Sequence, residues 1–177
     1  MVTNKLFADY EPQVDAQTTV SPRIDPLSHS TVTACAALAA AREGDPVERW
    51  LPVFAQRATA DSVTTFVAHV DEHFAGYASM NWLSPGKDGA IAPEGWYLTG
   101  LVVAPEWRRH GVGAALTQHR LTVLAEITSE VYYFASALNR PTIDLHAQLG
   151  FEELTTDFQF PGVTFSGGAG TLFRLAF

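Results

Sequence analysis

The chain has one cysteine, two methionines and only eleven basic side chains against nineteen acidic ones among its 177 residues. A lone Cys35 cannot close an intrachain disulfide, and no Cys/His spacing resembles a zinc site. No metal is therefore expected, and a reducing, cytoplasmic setting is. The shortage of cations leaves a formal net charge of -8, which opposes sequence-independent attraction to nucleic acid or to an anionic membrane surface. A cationic small substrate suits that field better. Long apolar runs are missing too: no segment approaches the about 18 uninterrupted apolar residues of a membrane span. Asp9, Glu11 and Asp15 stand where a signal peptide would carry its apolar stretch. Internal repeats are absent, and the Pro/Gly-rich stretch 161–170 is too short to separate domains.

What remains is a chain of one-domain size, 47% hydrophobic, able to bury a single continuous core. Residues 1–18 mix Asn, Asp, Pro, Gln and Thr without periodicity and read as a flexible N-terminal arm before a single domain over 19–177. A strand is expected near Val20, followed by an Ala-rich helix from Thr31 to Arg42 and a second helix from Pro46 to Arg57. The β-branched run from Ser62 to Val70, the acidic turn Asp71-Glu72 and the run Phe74 to Trp82 read as a hairpin, and Tyr97 to Val103 as the next strand. Gly111 to Ile127 has the clearest helical spacing, with Val112, Leu116, Val123, Leu124 and Ile127 on one stripe. A strand at Val131 to Ala135 follows, then a helix capped by Asn139 and stopped by Gly150, with closing strands at Phe151 to Thr156 and Gly170 to Phe177. Helices over a mixed sheet are the expected architecture.

Chemistry concentrates at Arg108-Arg109-His110-Gly111-Val112-Gly113-Ala114, where a loop after a strand enters a helix. Guanidinium forks and backbone N–H groups converge there on one point, and glycine lets a bulky phosphate approach the backbone. The P-loop reading fails because Gly113 is followed by Ala114-Ala115 rather than Lys-Ser/Thr, and the dinucleotide fingerprint fails because Leu116 stands where its third glycine belongs.

The stretch Leu101 to Leu116, with its Arg-x-x-Gly-x-Gly core, resembles the central acyl-CoA motif of the GNAT acetyltransferases, and Asn139 to Phe151, ending in Leu-Gly-Phe, is similar to that family's next helix. The resemblance is close over Tyr97 to Phe151 and topological from Val20 to Trp82. It implies an α/β (α+β) fold whose mixed, mostly antiparallel sheet of six to seven strands splays at an acetyl-CoA slot and is flanked by about four helices. It also implies that Leu101, Val102 and Val103 bind the cofactor, with Leu101 and Val103 offering backbone groups to the acetyl and pantetheine arm. Arg108, Arg109, His110, Gly111, Val112, Gly113 and Ala114 would hold the pyrophosphate and Asn139 the pantetheine, with Thr142 a further cofactor contact.

Direct transfer of acetyl to an amine needs a neutral amine, a held carbonyl and a proton for the departing thiolate. Relatives usually place Tyr four residues before the glycine of Leu-Gly-Phe; His146 stands there and takes the acid role. Many also carry Glu on the central strand, where this chain has Tyr97 and Thr99, so Glu94 is the nearest candidate base. Trp82, Trp96 and Tyr97 are candidate acceptor contacts. The expected activity is N-acetyltransfer from acetyl-CoA to a small-molecule amine by a monomer or homodimer. The alternatives are a protein or peptide N-acetyltransferase and a non-catalytic acyl-CoA-binding or sensory module.

Overall fold

The computed structural model describes residues 19–60, 63–86, 92–160, 162–165 and 169–177. The proposed arm over 1–18 and the glycines 167–168 lie outside them. A short strand, Arg23–Pro26 (β1), precedes two helices, Val32–Glu43 (α1) and Val47–Arg57 (α2). Gly44, at φ +75°, ends the first by donating its N–H to the Ala40 carbonyl. The strand expected near Val20 forms a few residues later, where Ile24 and Asp25 pair with Ala68 and Val67.

Val63–Val70 (β2) and His73–Leu83 (β3) form an antiparallel hairpin. Its two turn residues, Asp71 and Glu72, both take positive φ, +47° and +66°, the backbone that matches the twist of the flanking strands. Gly95–Val103 (β4) pairs with β3, a 3-10 turn follows at Pro105–Trp107, and Val112–Ala125 forms the long helix α3. Glu130–Ser136 (β5), Arg140–Gln148 (α4), Glu152–Thr155 (β6) and Gly170–Ala176 (β7) complete the chain.

The seven strands lie in the order β1-β2-β3-β4-β5-β7-β6, antiparallel throughout except for the β4–β5 pair. Alternation along the strands sends two sets of side chains to opposite faces. On one face Leu116, Leu121 and Leu124 of α3 pack with Ala78, Leu98, Val131 and Tyr133. On the other, Cys35 and Ala36 of α1 and Phe54 of α2 pack on Val67, Tyr77 and Val102. Each fully buried leucine contributes roughly 2 kcal/mol. Burial rather than propensity holds α2, which carries Pro52 inside it and buries Phe54.

Candidate active site

The site begins with an irregularity in β4. Ser79 pairs with Thr99 but Tyr77 pairs with Val102, so Ala78 faces both Gly100 and Leu101 and β4 carries a bulge. Gly100 supplies the left-handed backbone, at φ +57°. The extra residue resets the alternation: Leu98 and Leu101 both face the α3 core, while Val102 faces α1 and α2. Beside it, β4 and β5 share one register position, Tyr97 with Tyr132, and then part.

Past that point lies a cleft of about 430 Å³. Leu101, Val102 and Val103 form one wall; Arg108, Arg109, Gly111, Gly113 and Ala114 form its end; Asn139 and Thr142 line the facing wall. Gly111 caps α3 at φ +87°. The first N–H groups of that helix have no intrahelical acceptor, and with two arginines alongside they make an anion seat. A Cβ on Gly113 would lie 3.6 Å from Val103, 3.7 Å from Leu145 and 3.9 Å from Leu101, all residues of the cleft wall. The missing side chain therefore keeps this part of the cleft open without relieving a clash.

Two residues of the motif turn their side chains elsewhere. Val112 is buried in the core, and the His110 ring lies edge-on to Trp107 with Nδ1 2.8 Å from the Arg108 carbonyl. The capping role expected of Asn139 is corrected: its side chain makes no cap hydrogen bond. At φ -85° and ψ 63° its backbone is not that of an ordinary N-cap, and the residue lines the cleft instead.

His146 is 2% exposed and lies outside the cleft wall. Its ring stacks on Tyr133 at 4.0 Å and meets the edge of Phe151 at 5.2 Å. Nδ1 stands 2.8 Å from the Thr142 carbonyl, which fixes the proton of a neutral ring on Nδ1 and leaves Nε2 as an acceptor. Burial holds its pKa down at about 4; the Thr142 carbonyl opposes this and the Arg120 charge adds to it. In this arrangement the imidazole is a neutral core group rather than a proton donor to the cleft.

Glu94 is exposed and accepts a 2.6 Å hydrogen bond from Ser84, also away from the cleft wall. Asp88, ahead of β4 in the sequence and a poorer candidate for the same base role, lies outside the described residues. Trp82 and Trp96 face each other across the β3–β4 ladder at 6.0 Å, with Trp82 49% exposed. Tyr97 is fully buried and donates its hydroxyl hydrogen to the Pro93 carbonyl. It packs with Tyr132, Phe134 and Phe160 on the face opposite α3. None of these aromatics lines the cleft. Cys35 is buried, and that burial pushes its thiol up to about 12 despite the opposing charge of Arg57.

A bulged central strand, a parted neighbour and a glycine-opened helix terminus coincide with a family match: the profile described as Acetyltransferase (GNAT) family covers residues 33–151, more than half of the chain. The chain belongs to the GNAT family. An N-alpha-acetyltransferase of Sulfurisphaera tokodaii is 32% identical over 94 residues, 50% of this chain and 56% of that protein, so the match spans little more than half the relative's length. Solved structures with the same fold include a ribosomal-protein-alanine N-acetyltransferase from Brucella melitensis, at TM-score 0.66 and 19% identity over 88% of this chain and 99% of that one. The PaiA N-acetyltransferase of Thermoplasma acidophilum, in complex with coenzyme A, aligns at TM-score 0.63 and 12% identity over 89% of this chain and 100% of that one.

Six wall residues of this GNAT domain were not among the expected site residues: Arg42 from the end of α1, Trp107 from the 3-10 turn, and Pro141, Asp144, Leu145 and Gln148 from α4. Asp144 was detectable in principle, since Pro141, Asp144, Leu145 and Gln148 recur at the spacing of one helix face. Arg42 was not, because α1 reaches the cleft only through its packing across the sheet.

Proposed function

We propose that this GNAT protein transfers acetyl from acetyl-CoA to an α-amino group, with the cleft between β4, α3 and α4 as the cofactor slot. The observation that carries the reading is the joint placement of the α3 anion seat and the β4 bulge on one cleft. The anion seat suits a pyrophosphate, and the wall of Leu101, Val102 and Val103 suits a pantetheine arm and an acyl group. Acetyl-CoA brings an activated thioester to that wall. The chain's own groups orient it and shield it from water.

An α-amino acceptor fits the placement of the acid–base candidates. Glu94 is engaged with Ser84, and His146 is a buried neutral ring. An α-amine with a pKa near 7.7–8.0 is already partly neutral at pH 7, whereas a lysine-like amine at about 10.4 requires roughly 4 to 5 kcal/mol to lose its proton. The Sulfurisphaera relative, an N-alpha-acetyltransferase, and the Brucella neighbour, a ribosomal-protein-alanine N-acetyltransferase, support the same class. A small-molecule amine is the second reading. It is favoured by the aromatic cluster in which Phe158 and Phe160 pack beside Tyr97 and Phe134, a surface chemically suited to a small cationic amine.

Thiol release with acetyl-CoA across three sets of acceptors tests the proposal: peptides with a free N-terminus, the same peptides blocked at the N-terminus but carrying lysine, and small polyamines or aminoglycosides. Turnover confined to free N-termini is the expected result. Turnover confined to small amines would install the second reading. Tight acetyl-CoA binding with no turnover in any set would leave a binding or sensory module.

A further inference from the structure

Arg120, in the middle of α3, is 1% exposed. No carboxylate among the described residues forms an ion pair with it, and its Nε has no hydrogen-bond partner there. An isolated buried charge is destabilising, and a leucine at such a core-facing position would ordinarily serve the fold as well or better. What the guanidinium does contact is the cleft's framework. Nη1 donates to the Ser79 carbonyl at 2.8 Å and to the Thr99 carbonyl at 3.3 Å. Nη2 donates to the Thr117 hydroxyl oxygen at 3.0 Å, and that hydroxyl donates to the Gly113 carbonyl at 2.9 Å.

These contacts join the two ends of the slot. Thr99 and Ser79 are the last regular pair before the β4 bulge, beyond which Leu101, Val102 and Val103 line the acyl wall. Gly113 belongs to the first turn of α3 at the anion seat. A single side chain thus connects the strand irregularity to the helix terminus through Thr117.

We propose that Arg120 is a positioning residue that sets the separation between the pyrophosphate seat and the acyl seat. This inference rests on the acetyl-CoA reading of the cleft. With the guanidinium in place, both seats are engaged by one cofactor of fixed reach. Without it, β4 and the start of α3 keep their own hydrogen bonds but lose their mutual register. The pyrophosphate then still binds while the acetyl group is no longer met by the bulged strand.

The test is the ratio of acetyl-CoA to CoA affinity, measured by calorimetry on wild type, Arg120→Met, Arg120→Lys and Thr117→Val. A purely structural role would lower the melting temperature and weaken both ligands together, leaving the ratio unchanged. The proposal predicts that wild type prefers acetyl-CoA. Arg120→Met should lose about fivefold of that preference, the equivalent of one hydrogen bond. Arg120→Lys should recover part of it, and Thr117→Val, which keeps the buried charge and cuts the link to Gly113, should lose part of it. If Arg120→Met does not fold, Thr117→Val decides alone. An unchanged ratio in Arg120→Met, or in Thr117→Val when that variant decides, overturns the positioning role while leaving the cofactor assignment intact. Failure of folded wild type to bind either ligand overturns the cofactor assignment and this inference with it.

Discussion

His146 shows how burial redirects a side chain. The unfolded chain takes up a proton there near pH 6.5, whereas the folded chain resists until about pH 4 because the ring is desolvated. Its contribution to stability is therefore complete above pH 6.5 and is lost as the pH falls through that window, by up to about 3 kcal/mol. We expect the melting temperature of wild type to fall across that range, and His146→Phe to fall less. An identical acid limb in the two proteins would contradict the buried-neutral assignment. Arg120 sits close enough to help hold the His146 proton off, and burial also brings its own pKa down to about 9, leaving it charged at neutral pH. Neither effect was legible in the sequence: a histidine or arginine on a helix reads as a surface group until the packing partners are known.

Among the elements, the helices and the β2–β3 hairpin were legible because their signals are local. The Gly44 stop and the Gly111 helix start use left-handed backbone that glycine announces, and the Asp71-Glu72 turn is marked by its place between two strand-like runs. The β4 bulge was not legible, since it arises from pairing with β3 and shows in the sequence only as Gly100 within an apolar run. Asn139 differs only in its cap: its residue type suits one, but the chain leaving β5 turns it onto the cleft, on the wall where the resemblance had put a cofactor contact.

The β3–β4 contact also makes a prediction at this scale. Gly76 lies opposite Val103, and a Cβ there would stand 2.5 Å from the Val102 carbonyl oxygen and 3.1 Å from the Val103 Cα. Gly76→Ala should therefore push the acyl wall outward, destabilise the fold by about 1–3 kcal/mol and weaken acetyl-CoA binding. Thermal melts and ligand titration check both effects, and unchanged values would show that the strands yield more easily than close packing implies.

Across the whole molecule, a net charge of -8 surrounds an anion seat built from Arg108, Arg109 and a helix terminus. On the proposed reading, attraction for a phosphate-bearing cofactor is local and works against the mean field. The sheet ends in two four-residue strands, β1 and β6, so either edge offers few ladder bonds to another chain. No helix among the described residues is long and apolar enough to cross a membrane.

The central claim, that the α3 terminus and the β4 bulge hold one acetyl-CoA, is tested most directly by calorimetric titration of acetyl-CoA into wild type and Gly113→Asp. Space for a Cβ exists at Gly113, and an acid in the first turn stabilises a helix, so the variant should fold while placing a negative charge in the phosphate seat. The account predicts saturable one-to-one binding to wild type and at least about tenfold weaker binding to the variant, a difference of 1.4 kcal/mol or more. Equal affinity in the two proteins, or no binding to folded wild type, would contradict it.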